Sequence, residues 1–451
     1  MTQNPSRPWA PDRSWADPFI AALFLVILLL AGNPSRLHRG APLAAEDRAS
    51  LPGRVQDVLQ GAIQGRALPS VSRWVLPADA GAWGSSGWDQ ALQAVHAAEK
   101  GDLDRAGALI QAAPGSAGAA FRQAWNWSYR GAGAPPAPAE FRNARQALGG
   151  GYAAQILEAR VLARSGGDPR PLVARARAWA LARVGAMAAL GLAAILLAIS
   201  GLVFGLSLTA RPSRPALPHY GVSGRGVLIV MLGWFLTLLA AGPMAAALIL
   251  LLPGLKPVTI PLVYAIHALA GTAYLLAAEG IDLATLLRRV APGRHGRALA
   301  AGLGYFALAF AAVVAVAIVL SPLRPEGPSP QKDLLEFLVR LHGTWPVLLL
   351  FLTVAVLAPI FEELMFRGFL LPWLCVRLES WLGTMRGRWL AVAATGLAFA
   401  VMHLQPLGLP TLTTLGIVLG FAFLRTGNLV TSIVVHGLWN GGVFMLMRAF
   451  S

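Results

Sequence analysis

Cysteine is nearly absent from this chain: Cys375 stands alone among 451 residues, which excludes an internal disulfide and a thiolate metal cluster. Charge is scarce as well, at 13% of residues, where an ordinary globular domain carries about a quarter. With 56% hydrophobic residues and a mean hydropathy of +0.59, water is not the chain's main solvent. Acidic residues are the scarcer sign, 21 Asp and Glu against 37 Lys and Arg, leaving a net charge of +16. A nucleic-acid partner would need that surplus gathered on one basic face. Here the Arg residues scatter over short loops between apolar runs, so no nucleic acid is expected and the charges read as those that fix membrane orientation.

What is abundant is the uncharged apolar run. About 20 such residues in a helix cross about 30 Å of hydrocarbon, and nine candidate spans emerge, near residues 19–32, 184–208, 227–252, 258–278, 299–320, 345–361, 389–402, 412–424 and 429–447. The seventh and eighth are short for lipid-exposed spans and fit segments enclosed by other helices. The runs are too long for barrel strands, and backbone in lipid must satisfy its own hydrogen bonds. The expected fold is therefore all-α, a polytopic transmembrane helical bundle.

Three domains follow: an N-terminal tail with a first anchor (1–32), a polar region (33–183) and the remaining membrane domain (184–451). The first run follows Arg7 and Arg13 and reads as an uncleaved anchor, since no clean small-x-small site stands before Asn33. Region 33–183 reads as a small helical extramembrane domain. Helical apolar spacing covers 88–113, the phrase from Ala98 to Ala106 resembles the turn of a tetratricopeptide hairpin, and 131–138 is a Gly, Ala and Pro joint. Trp74, Trp83, Trp88, Trp125 and Trp127 are expected in its core.

Loops holding Arg211, Arg214 and Arg225, then Arg288, Arg289, Arg294 and Arg297, then Arg377, Arg386 and Arg388 fall on one side, which the positive-inside rule makes cytoplasmic. Region 33–183 is then extracytoplasmic, in what reads as a bacterial inner membrane. Arg170, Arg175, Arg177 and Arg183 crowd the second span from the other side, against this assignment.

Ionisable residues inside hydrocarbon cost several kcal/mol, about 2.5–3.5 each on insertion scales, so each one marks a functional candidate. They gather in the last hundred residues, as Phe361-Glu-Glu-Leu-Met-Phe-Arg367, Phe399-Ala-Val-Met-His403 and His436-Gly-Leu-Trp-Asn440. Glu363 and Arg367 are four apart on a helix, as are His436 and Asn440, so each pair shares a face. Glu362 and Glu363 cannot both ionise cheaply in a dry site unless Arg367 compensates. Glu363 is expected to pair with Arg367 at the helix end, leaving Glu362 as general base. His267 reads as a helix-to-helix hydrogen bonder, Phe361, Phe399 and Trp439 as packing residues, and Glu279 as a solvated carboxylate at a span's end.

Glu-Glu-x-x-x-Arg, Phe-x-x-x-His and His-x-x-x-Asn, in this order on successive spans, resemble the CAAX-protease and bacteriocin-processing (CPBP) family of intramembrane proteases. The resemblance covers about 345–447. It implies an endopeptidase without a cofactor in which Glu362 and His403 activate water while His436 and Asn440 stabilise the oxyanion, supported by Glu363, Arg367 and Phe399. An older view of the family makes Glu362, His403 and His436 zinc ligands, a chemically sound set with one open position, although no His-Glu-x-x-His helix is present. The implied partners are the lipid bilayer and membrane-associated or C-terminally anchored protein substrates. Two further classes compete: a non-catalytic scaffold or regulator of the same fold, which has no physical need for these polar groups in hydrocarbon, and a proton-coupled transporter, for which no inverted repeat of broken helices is seen.

Overall fold

The computed structural model describes residues 56–58, 60–61, 86–209, 217–252, 258–293, 295–321 and 343–450. The expected span at 19–32, Trp74 and Trp83 lie outside them. Every regular element among the described residues is helical. Contacts divide the chain into two compact units, Gly40–Ala194 and a second that contains Ile195–Ser451.

In the first unit, α1 (Gly87–Glu99) opens with a reciprocal cap: the Ser86 hydroxyl accepts the Asp89 N–H at 3.1 Å and the Asp89 carboxylate accepts the Ser86 N–H at 3.0 Å. It ends at a turn through Gly101, whose φ of +90° suits glycine. Asp102 then caps α2 (Leu103–Leu109) by accepting the Arg105 N–H at 3.1 Å. The phrase at 98–106 is thus a helix-turn-helix, as its resemblance to a tetratricopeptide turn suggested. α3 (Gly115–Trp125), α4 (Pro138–Ala147) and α5 (Tyr152–Arg164) complete the unit together with the start of α6 (Arg170–Thr209). Trp88, Leu92, Ile110, Phe121, Trp125 and Leu157 form its core. Trp127 is only half-buried, beneath the Arg164 guanidinium at 5.0 Å.

The second unit contains the end of α6, α7 (Gly224–Leu251), α8 (Thr259–Glu279), the short α9 (Leu283–Val290), α10 (His295–Leu320), a continuous 39-residue helix α11 (Thr344–Leu382), α12 (Thr384–Met402), α13 (Leu409–Thr426) and α14 (Leu429–Phe450). Seven helices among the described residues are long and apolar enough to cross a membrane. They are α6, α7, α8, α10, α11, a segment that begins at Pro406 and includes α13, and α14. Apolar side chains such as Leu202, Leu206, Leu250 and Val319 point outward, an arrangement water would penalise and hydrocarbon does not. The protein is therefore an integral membrane protein.

Two sequence expectations change here. The span expected at 389–402 is α12, but it is not among the seven. Its first five residues include Arg386 and Arg388, and its Ala, Gly and Thr-rich remainder packs against α11 and α13. The span expected to end at Phe361 instead continues as α11 to Leu382. The Glu-Glu motif that looked like a terminus is interior, because its charges find partners inside the protein. Glu279 is corrected too: its side chain is 4% exposed, accepting the Val222 N–H at 3.1 Å and an N–H of Arg289 at 3.1 Å.

Close helix approach depends on small residues. A Cβ built on Gly416 of α13 would lie 2.7 Å from the Gly396 Cα of α12. That contact sets α12 and α13 against each other and brings their polar groups towards α11.

Candidate active site

The Glu-Glu motif sits on an α-helical turn of α11, Ala358–Glu363, bracketed by π-helical turns at Thr353–Leu357 and Leu364–Leu370. π turns are rare and disturb the regular carbonyl ladder. Here a carbonyl in each accepts a donor from elsewhere: Val354 from the Asn440 amide at 3.0 Å, and Gly368 from the Tyr220 hydroxyl. These contacts fix the segment's rotation, and with it the direction of both carboxylates.

Glu363 faces a fully enclosed core. Its Oε1 accepts Arg367 Nη1–H at 2.7 Å and His436 Nδ1–H at 2.9 Å, with Glu363 and Arg367 both 0% exposed. Arg367 also donates to the Gly416 carbonyl at 3.0 Å, and its guanidinium lies 4.6 Å over the Phe399 ring. A charge at the centre of a span is tolerated on these terms: a counter-ion, a carbonyl and an aromatic face. The expected Glu363–Arg367 pair forms, and in addition it orients His436. Phe399 is the common wall, with the His403 ring centroid 4.6 Å away and that of His436 5.3 Å away, edge to face.

Glu362 points the other way, into a less enclosed space, its side chain 17% exposed. Its Oε1 accepts the Tyr264 hydroxyl of α8 at 2.9 Å. Its Oε2 has no hydrogen-bond partner among the described residues, although it is buried. His403 Nε2 lies 3.9 Å from Oε2 and His436 Nε2 lies 3.8 Å from it, both beyond direct hydrogen-bonding reach. His403 is the C-cap just past the end of α12, where carbonyls lack intrahelical partners, and its Nδ1 lies 2.7 Å from the Phe399 carbonyl. Leu404 turns the chain away with φ of 52°, a left-handed conformation that a non-glycine residue adopts at a cost of about 1–3 kcal/mol.

These contacts assign the tautomers. A carbonyl only accepts, so His403 carries its proton on Nδ1; the Glu363 carboxylate paired with Arg367 likewise draws the His436 proton to Nδ1. In their neutral forms both rings therefore present bare Nε2 atoms towards the orphan Oε2. Three acceptors converge with no donor among them, an arrangement that suits a water molecule giving its protons to them.

The structure brings together Glu362, Glu363, Arg367, Phe399, His403 and His436. One hydrogen of the Asn440 amide is engaged outside this group. Asn440 shares a helix face with His436, but its amide donates to Val354, and a common face does not impose a common target. Tyr264 was missed from the sequence, since a lone tyrosine in an apolar run reads as packing. Its one signal was His267 three residues on. His267 does bond across helices as expected, with Nδ1 2.7 Å from Thr237 Oγ1 of α7. Among the described residues, no group of three or more His, Cys, Asp or Glu is disposed to hold a metal ion.

Residues 344–442 match the model of the family described as Type II CAAX prenyl endopeptidase Rce1-like. The matched segment contains all three motifs, whereas Tyr220, Thr237, Tyr264 and His267 lie outside it. No curated protein and no solved structure matches the chain.

Proposed function

From the premise that residues 344–442 are an Rce1-like domain of the CPBP family, we propose that the protein is an intramembrane endopeptidase that hydrolyses peptide bonds of membrane-associated protein substrates. The observation that carries this reading is the orphan Oε2 of Glu362 facing two bare imidazole nitrogens at 3.8 and 3.9 Å. Water held there transfers a proton to Glu362 or His403 as its oxygen attacks the scissile carbonyl carbon. The C–N bond then breaks and the leaving amine takes that proton back.

His436 is the oxyanion donor in this scheme once Nε2 has taken up a proton from solvent. The ion-paired Glu363 behind its Nδ1 stabilises the imidazolium that results, as a carboxylate does behind other catalytic histidines. Asn440 is a second oxyanion donor through the remaining hydrogen of its amide. Glu363, Arg367 and Phe399 hold these groups in place.

Glu362→Gln should lower cleavage by about 10²–10⁴-fold, the usual contribution of a general base, with insertion and folding unchanged. Comparing membrane proteomes of wild-type and variant cells for new termini reads the loss and names substrates together. Undiminished turnover in the variant would falsify the assignment of Glu362 as the base, whereas equal complementation of a deletion strain by a Glu362→Ala version would favour the scaffold reading. The reaction as written uses no cofactor. The zinc alternative on Glu362, His403 and His436 is decided by strong chelation: surviving activity supports the glutamate mechanism, and loss restored by added zinc overturns it.

The loop charges support a topology with Arg288, Arg289 and Arg297 cytoplasmic and region 33–183 an extracytoplasmic helical domain in a bacterial inner membrane. With an anchor at 19–32 and α12 counted, the chain has nine spans. An outer domain of this kind suits recruitment of exported or C-terminally anchored substrates. Cysteines introduced singly into the loops and labelled from one side test the placement.

A further inference from the structure

A general-base carboxylate must present one oxygen to water in a fixed orientation, and a Glu side chain with three rotatable bonds does not hold that orientation by itself. Within 344–442, Glu362 has no hydrogen-bond partner: both imidazole nitrogens stand at 3.8 and 3.9 Å, and Oε2 is unpartnered. Among the described residues its one side-chain hydrogen bond comes from α8, outside the matched segment, where Tyr264 donates to Oε1 at 2.9 Å.

Tyr264 is itself braced. His267, one turn along α8, is 2% exposed, stacks on Trp234 of α7 with centroids 5.3 Å apart and 11° between planes, and is hydrogen-bonded to Thr237. The Tyr264 ring meets His267 edge to face at 5.7 Å. α7 and α8 thus form a rigid wall that delivers one phenol to one carboxylate oxygen.

We propose that Tyr264 is a positioning residue for the glutamate base: its hydroxyl engages Oε1, so that Oε2 alone faces His403, His436 and the water between them. The assignment rests on the proposed hydrolytic role of Glu362. It makes the site composite, with Thr237, Trp234, Tyr264 and His267 supplying from α7 and α8 what the matched domain lacks. Tyr264 acts through Glu362 and forms no bond to substrate, so its loss should affect turnover more than binding.

The test compares wild type, Tyr264→Phe, Glu362→Gln and the double variant in proteoliposomes, using quenched fluorogenic peptides in farnesylated and unmodified forms. Tyr264→Phe, which removes only the hydroxyl, should lower kcat about 10–100-fold with KM within about twofold, since a displaced catalytic group costs on this order. In the Glu362→Gln background the same change should have no further effect on residual turnover. Infrared difference spectra, with the Glu362 band assigned by subtraction of Glu362→Gln, should show that band shifted by Tyr264→Phe.

Wild-type kcat in Tyr264→Phe while Glu362→Gln is inactive overturns the positioning role and leaves the hydrolase reading standing. A fully active Glu362→Gln overturns Glu362 as the base and this proposal with it, while absence of turnover in wild type overturns the hydrolase reading itself. A raised KM at unchanged kcat would make Tyr264 a substrate contact, again against the proposal. Should Tyr264→Phe fold poorly, fluorotyrosine at 264 keeps the ring and alters only the hydroxyl's donor strength; an unmoved Glu362 band and unmoved kcat in that protein also refute it.

Discussion

The two units each contain a Glu–Arg pair joined at hydrogen-bond distance, in very different surroundings. Glu99 and Arg160 meet at 2.8 Å, with the Arg side chain 53% exposed, whereas Glu363 and Arg367 meet at 2.7 Å with both 0% exposed. In the first unit the pair ties α1 to α5 in reach of water, which would solvate either partner alone. In the second, the pair, one carbonyl and an aromatic face stand in for water, with Glu363 Oε2 and Arg367 Nε left without a hydrogen-bond partner among the described residues, and the same carboxylate orients a histidine. Identical chemistry is incidental support in one place and a condition of the site's existence in the other.

Breaking each pair tests this contrast. Arg367→Ala leaves the Glu363 charge buried and should destabilise the protein by about 3–5 kcal/mol, read as a large drop in the detergent unfolding midpoint. It should remove cleavage too, because His436 loses its orientation. A smaller effect comes from the close approach behind the pair: Gly416→Ala places a methyl 2.7 Å from the Gly396 Cα and should cost about 1–3 kcal/mol by overpacking, with some loss of activity as α13 shifts from Arg367. Arg160→Ala should change stability by at most about 1 kcal/mol, since exposed pairs contribute little. A loss as large as that of Arg367→Ala would remove the distinction drawn here.

Alkaline titration sharpens the comparison from the water-facing side. Burial first, and then the Glu99 charge, hold the Tyr129 phenol well above the usual tyrosine range, and burial foremost pushes Tyr152 up to about 12. Their unfolded value is about 10, so the folded state keeps protons that the unfolded state releases. Their contribution to stability is whole below about pH 10 and, for Tyr152, is lost as pH rises towards about 12. Tyrosinate absorbance followed alongside helicity checks the order: if both phenols ionise near pH 10 without unfolding, their burial has been misread.

The motifs were legible because hydrocarbon penalises polar side chains, so Glu362, Glu363, Arg367, His403 and His436 stood out against apolar runs. The fold class was legible for the same reason, and the helical turn at 98–106 from its small and charged residues. Other features were hidden because they depend on partners distant in the chain. The continuation of α11 through the Glu-Glu motif depends on Gly416 and His436, which neutralise what looked like a helix end. The burial of Glu279 depends on Arg289 and on the backbone of Val222. Tyr264 carries no local sign of its role, since nothing within its own helix pairs with its hydroxyl.

Composition and spacing, acting through the cost of charge in lipid and the 3.6-residue helical period, determined that the chain is a membrane helical bundle and which residues are candidates for chemistry. Only tertiary packing decided that Glu362 Oε2 would be left bare, that Glu363 would hold the His436 proton on Nδ1, and that Asn440 would turn to Val354. The direction of a side chain on a helix is set by the neighbours it meets, and those neighbours lie tens to hundreds of residues away.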